Sequence, residues 1–247
     1  MPPLITLLTD FGTADNYVAE VKGVLLSMAL GATLVDLTHQ IPPGNIRAAQ
    51  YVLARTWPRF PDGTVHLVVV DPGVGTDRRA LAAEAAGHYF VAPDNGVLSP
   101  LPADARYVVL PVPPGAAPTF HARDLFAPAA AALANGTALT HLGRLVADPV
   151  RDPLPAATLD GLTLVGEVIY VDRFGSLITN IPGANVQPGS RVRVAGTEVG
   201  TLSRTYADVG RGQLVAYVGS GGTVEVAVRD GSAARLLGVG VGAEVRV

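Results

Sequence analysis

The 247-residue chain contains no cysteine. That absence excludes disulfides, thiolate metal sites and cysteine nucleophiles together. Charge is also sparse: charged residues make up 16% of the chain, against 49% hydrophobic residues, a balance that excludes disorder. A formal net charge of −3 leaves no polybasic footprint for nucleic acid. Apolar runs such as 67–70 and 81–86 are far too short to cross a bilayer. The start, Met1-Pro2-Pro3 followed by a strand-like run, carries no basic segment or cleavage site, so no secretory signal is expected. The expectation is a soluble, cytoplasmic protein that binds neither nucleic acid nor membrane.

Several signatures are missing as well. The five histidines show no H-x-x-x-H or other compact ligand spacing, so no metal site is expected. No G-x-G-x-x-G opens a helix after the first strand, and neither a G-x-S-x-G elbow nor a Walker loop occurs. No internal repeat is found. The 28 glycines and 20 prolines lie scattered between apolar runs as turn punctuation.

What is present reads as two domains. Strands at 4–8, 33–37 and 65–70 alternate with helices at 14–30 and 46–57, the alternation of a parallel α/β sheet. Thr13 is the expected N-cap of the first helix. Short strands follow at 80–85, 88–92 and 107–112, then a helix over 124–133 with Pro128 inside it. The stretch 146–160 holds three prolines and no period, the texture of a linker. Beyond it, β-rich segments at 161–171, 176–181, 191–194, 213–218, 223–228 and 243–247 have the spacing of a small barrel. The expected organisation is a Rossmann-like α/β domain over 1–150, a linker over 151–160 and an antiparallel β-barrel-like domain over 161–247.

Polar residues collect after the strands of the first domain: Asp10 and Asp15, Asp36 and His39, Asp71 with Arg78 and Arg79, and Asp94 with Asn95. If the strands are parallel, these clusters share the carboxyl rim, where ligands bind in such sheets. Asp71 sits in Asp-Pro-Gly-Val-Gly, a turn that lets backbone approach a ligand. Arg78 follows seven residues later, and His121 precedes the Asp124 helix. An aspartate, an arginine and a histidine around one water can position it, accept its proton and stabilise developing hydroxide. Against this, Asp-Pro-Gly alone is a common turn, and Asp124 also reads as an ordinary first-turn acid. His66 and His88 read as surface or satisfied strand residues, and Arg79 as a solvated neighbour of Arg78.

Read in order, seven motifs resemble one family. They are Leu-Thr-Asp-Phe-Gly (8–12) with Asp15 and Tyr17, Val-Lys-Gly-Val (21–24), Val-Asp-Leu-Thr-His (35–39) and Val-Asp-Pro-Gly-Val-Gly (70–75) with Arg78. The remaining three are Ala-Pro-Asp-Asn-Gly-Val-Leu (92–98), Phe-His-Ala-Arg-Asp-Leu-Phe-Ala-Pro (120–128) and Val-Asp-Arg-Phe-Gly-Ser-Leu-Ile-Thr-Asn-Ile (171–181). Together they resemble the S-adenosyl-L-methionine (SAM) hydroxide adenosyltransferases, the adenosine-forming SAM hydrolases related to fluorinase and chlorinase, from about Leu4 to Leu237.

The resemblance implies hydrolysis of SAM to adenosine and L-methionine, without a cofactor, in a homotrimer whose ligand lies between one subunit's N-terminal domain and its neighbour's C-terminal domain. It implies that Asp71, Arg78 and His121 activate the water, and it leaves open which of Asp71 and His121 is the base. Asp10 takes the position that holds the ribose hydroxyls, with Asp15 and Tyr17 beside it. Phe174 and Tyr206 take positions that sandwich adenine, Asp172 and Ser220 positions that meet the methionine amine and carboxylate, and the backbone near Arg229 meets the adenine edge. Asn95 joins the substrate-binding set. Three departures fall at the pocket: Ala122 for glycine, Ser176 for asparagine, and Gly219 for asparagine. The competing readings are a SAM or adenosine sensor without turnover and a SAM-dependent halogenase.

Overall fold

The computed structural model describes residues 2–187 and 189–247. It divides into two compact units, Met1–Pro153 and Leu154–Val247, parting inside the proline-rich stretch.

The first unit is built on a seven-stranded sheet. Its strands are β1 (Leu4–Thr9), β2 (Thr33–Thr38), β3 (Val65–Val69), β4 (Ala80–Ala85), β5 (His88–Pro93), β6 (Arg106–Leu110) and β7 (Arg144–Val146), in the order β2-β1-β3-β5-β4-β6-β7. The first four in that order run parallel and the other three are antiparallel. Every residue of β3 is buried, as expected for a central parallel strand covered on both faces. Ile5, Leu7, Val65, Leu67 and Val69 alternate onto one face. There they pack with Val21 and Leu25 of α1 (Tyr17–Met28) and the alanines of α3 (Ala127–Ala134). The intervening residues, Thr6 and His66 among them, face the other way, where Trp57 and Phe60 follow α2 (Ile46–Thr56). A short helix α4 (Leu139–Leu142) precedes β7.

Two helix starts differ from the sequence reading. The first helix begins at Tyr17 after Asn16, and Thr13 does not cap it. Residues 10–16 instead form a loop that Gly12 N–H ties to the His39 carbonyl at 2.7 Å. The third begins as a wide helical turn over Ala122–Phe126 before α3, and Pro128 sits in the first turn of α3, where its missing N–H costs nothing. The last residues of the expected linker, 158–160, are ordered strand.

The second unit contains β8 (Thr158–Asp160), β9 (Thr163–Val171), β10 (Leu177–Pro182), β11 (Arg191–Val194), β12 (Thr197–Ser203), β13 (Leu214–Val218), β14 (Thr223–Val228), α5 (Ala233–Leu237) and β15 (Glu244–Arg246). The order β10-β14-β13-β12-β11-β15-β9 closes when β9 pairs back to β10, giving a seven-stranded barrel with β8 as a hairpin extension. Its interior is largely valine, leucine and isoleucine, including Val168, Leu177, Ile181, Val192 and Val226. One pairing, β12 with β13, is parallel, so the barrel is not uniformly antiparallel. Sequence reasoning missed β12, which is interrupted by Gly200, and α5, which is too short to show a helical period.

Candidate active site

The first strand pair delivers two carboxylates to one place. Asp10 follows β1 and Asp71 follows Val70 at the end of β3, and β1 and β3 are parallel neighbours. Both line a cleft of about 200 Å³ in the first unit, with Phe11, Tyr17, Val74, Phe120, His121 and Ala122. The carboxyl-rim inference therefore holds for these two residues. Asp36 is instead paired with Lys22 at 2.7 Å, and Asp94 with Arg79 at 2.6 Å.

Asp71, Arg78 and His121 touch. Arg78 Nε donates to both Asp71 oxygens at 2.9 Å, and Nη2 bonds the same carboxylate. Nη2 also lies 3.0 Å from His121 Nδ1. The Asp71 and Arg78 side chains are only 5% and 9% exposed, and His121 is buried. The turn between them makes this possible. Thr76 Oγ1 donates to the Gly73 carbonyl, and Gly75, at φ +79°, lets the chain pass against the Pro118 carbonyl in the His121 segment. The guanidinium also stacks over the Phe126 ring, 5.2 Å from its centroid.

This geometry fixes a tautomer. Arginine has only donors and stays charged, so His121 Nδ1 is the acceptor and neutral His121 carries its proton on Nε2. Burial, and then the Arg78 charge, hold His121 below the usual histidine range. Neutral His121 is thus a donor toward solvent or ligand.

Around this cluster the wall is aromatic. Tyr17 and Phe120 meet edge-on at 5.4 Å, and Phe11 meets both at 6.1 and 6.3 Å. Arg123 lies 5.0 Å over the Phe120 ring and binds Asp124 and Glu20. Asp124 Oδ2 also accepts from Ala117 N, so Asp124 acts as a clasp for the His121 segment. Asp10 Oδ2 accepts from Gly44 N at 2.7 Å, and its other oxygen has no hydrogen-bond partner among the described residues.

Two expected positions lie outside this cleft. Asp15 is exposed and does not line the cleft. Asn95 braces the strand end: it donates to the Val70 carbonyl at 2.9 Å and accepts from Val97 N. Arg79 is no solvated neighbour, because it bridges Asp94 and Asp148. His66 and His88 are satisfied strand residues, both buried and bonded to one another.

The second unit carries its own cleft, of about 500 Å³, lined by Asp172, Phe174, Ser176, Tyr206, Tyr217 and Arg229 among others. Asp172 Oδ1 accepts from Phe174 N at 2.9 Å and Ser176 N at 2.8 Å, closing a turn that holds Phe174 outward. Gly175 takes φ +83° in that turn, and a Cβ there would overlap Ser232. Arg229 donates to the Ala207 and Val209 carbonyls and so pins the Tyr206 turn. Phe174 and Tyr206 are 77% and 58% exposed, unusual for large aromatics. Ser220 does not line this cleft, and neither does Gly219, whose missing side chain leaves room for Glu225.

Sequence reasoning overlooked Phe11, Phe120 and Tyr217. The first two lie inside quoted motifs, and apolar residues beside a charged motif read as core. Tyr217 packs edge-on to Tyr206 at 6.1 Å, and burial with the nearby Glu225 carboxylate pushes its phenol up. Among the described residues no group of three or more His, Asp or Glu side chains has metal-holding geometry. No helix among them is long and apolar enough to cross a membrane.

Comparison with known proteins agrees with this two-unit layout. Residues 5–143 match the SAM hydroxide adenosyltransferase N-terminal domain, and residues 166–246 match the C-terminal domain of the same family. The chain is 45% identical to the (R)-S-adenosyl-L-methionine hydrolase of Thermus thermophilus, over 98% of each protein. It is 32% identical to a fluorinase of Actinoplanes sp., over 91% of this chain and 90% of that one. A crystal structure of an uncharacterised conserved protein from Thermotoga maritima superposes with a TM-score of 0.90 at 35% identity, covering 98% of both chains. On motif order, fold and sequence identity together, this chain belongs to the SAM hydroxide adenosyltransferase family.

Proposed function

We propose that this protein hydrolyses SAM to adenosine and L-methionine, with a water molecule attacking C5′ in line with the departing sulfur. One observation carries the proposal: a buried Asp71–Arg78–His121 contact set into the wall of a cleft that also holds Asp10. Relatives named SAM hydrolase, 39–45% identical over nearly the full chain, support the choice of substrate.

The chemistry follows from the charges. The sulfonium makes methionine a neutral leaving group, so only the nucleophile needs help. The water oxygen bonds to C5′ as the C5′–S bond breaks, and that electron pair returns to sulfur. His121 already accepts from Arg78 at Nδ1, so taking a second proton would set imidazolium against guanidinium. Asp71 therefore receives the water proton, Arg78 stabilises the developing hydroxide, and the His121 Nε2–H orients the oxygen. Hydroxide and sulfonium cancel charge on approach, which a site with little water favours. The step calls for no metal or redox cofactor.

Binding divides between the units. Asp10 holds the ribose diol with its unpartnered oxygen, while Phe174 and Tyr206 stack on adenine and Asp172 meets the methionine amine. The first cleft is smaller than the roughly 300–1,000 Å³ of pockets that enclose a comparable ligand. We assign the complete site to a homotrimer, in which the first unit of one subunit meets the second unit of its neighbour. Asp15, Asn95 and Ser220 stay in the substrate-binding set only if that assembly or the ligand draws them in.

The test is chromatography of incubations with each sulfur epimer of SAM in oxygen-18 water. Equimolar adenosine and methionine, with label in the 5′-hydroxyl, is the expected result. Binding without turnover would make the protein a sensor. A halogenated nucleoside in chloride or fluoride would make it a halogenase, a role for which the Asp71 carboxylate is ill placed because it repels halide.

A further inference from the structure

The polar side chains of Val-Asp-Leu-Thr-His (35–39) are left unused by the proposed chemistry. His39 is buried beneath the turn that carries Asp10. Its Nδ1 lies 2.8 Å from Thr9 Oγ1, and its carbonyl accepts from Gly12 N at 2.7 Å. Phe11 N donates to the same Thr9 hydroxyl at 3.3 Å. With Nδ1 engaged by Thr9, the remaining ring nitrogen of His39 is Nε2. That atom is 3.1 Å from Asp36 Oδ1, at ion-pair distance though not in the line of a directed hydrogen bond. Asp36 in turn binds Lys22 of α1. The loop after β2 therefore grips residues 9–12 on both sides, through His39 and through Gly44 N–H on Asp10 Oδ2.

We infer that His39, acting through Thr9, is a positioning residue for ribose recognition: it holds the 9–12 turn so that the free Asp10 oxygen meets the nucleoside diol. The inference rests on the proposed role of Asp10. His39 itself touches no substrate. What it supplies is preorganisation, which matters most for a bidentate contact that a small tilt of the carboxylate would spoil.

Calorimetric binding of adenosine and of 2′,3′-dideoxyadenosine to the full chain isolates that contribution, because the ratio of the two dissociation constants measures the diol alone. The wild type is expected to favour adenosine by about tenfold or more, and Asp10→Ala to bring the ratio near one. His39→Leu and Thr9→Val each remove the buried hydrogen bond and should compress the ratio to within about threefold. His39→Asn, whose amide can replace Nδ1, should restore it. A general loss of stability weakens both ligands alike and leaves the ratio unmoved. If His39→Leu fails to fold, Thr9→Val decides. A full ratio in these variants, with Asp10→Ala collapsed, overturns the His39 inference and leaves the Asp10 role intact. A ratio that survives Asp10→Ala, or a wild type that binds neither nucleoside, overturns both.

Discussion

Acid should destabilise the first unit through His66, and the amount can be worked out. His66 is fully buried on β3, bonded through Nδ1 to Thr6 at 2.8 Å and through Nε2 to His88 at 3.2 Å. Phe90 stacks on it at 4.9 Å and Phe60 meets it edge-on. Burial, and then the neighbouring His88, lower its pKa from 6.5 to about 3. Among the described residues Asp62 is the one carboxylate paired with either ring, 3.9 Å from His88 and almost wholly solvent-exposed. The folded state thus binds a proton less readily than the unfolded chain. Stability from this group is complete above about pH 6.5 and declines as pH falls toward 3, by about 1.4 kcal/mol per unit. From pH 7 to 4 the loss is about 3 kcal/mol, a large share of the roughly 5–15 kcal/mol of a typical domain.

Urea unfolding at both pH values, followed by the fluorescence of Trp57, reads this directly, since that single tryptophan packs 5.2 Å from His88. His66→Gln provides the contrast. It should be weaker at pH 7, by about 1–3 kcal/mol for the broken partnership, yet lose about 3 kcal/mol less than wild type on acidification. Equal acid losses in the two proteins would refute the argument.

Asp71→Asn should lower kcat by at least about 100-fold while leaving adenosine affinity within about threefold, measured by turnover and calorimetry. Because burial and Arg78 keep His121 below the usual histidine range, kcat/KM should stay level as pH drops through 6.5 and decline only beneath it; an acid limb at 6.5 or higher contradicts this. Phe174→Ala and Tyr206→Ala should each weaken adenosine binding by about 1–3 kcal/mol, since base–aromatic stacking is of that size, with thermal stability little changed for such exposed side chains.

The parallel strands were legible because residues buried on both faces leave unbroken apolar runs, as in 65–70. The start of α1 was not: Thr13 and Asn16 are both residue types that start helices, and residues 10–16 are held as a loop by the Gly12–His39 contact, whose partner 27 residues away no local pattern records. Asp71, Arg78 and His121 stood out through their motifs. Phe11 and Phe120 did not, although both share the wall with them. Asn95 also lies in a conspicuous motif, and its contacts brace a strand end.

Sequence alone thus settled the family, the division into an α/β and a β unit, and the residue types available for the chemistry, because these depend on local periodicity and on motif order. Tertiary structure decided which of those residues meet. Arg78 and His121 lie 43 positions apart and come to 3.0 Å. That contact chooses the imidazole nitrogen that bears the proton and, on the proposed mechanism, the group left to act as base, a choice made by long-range packing that no spacing along the chain encodes.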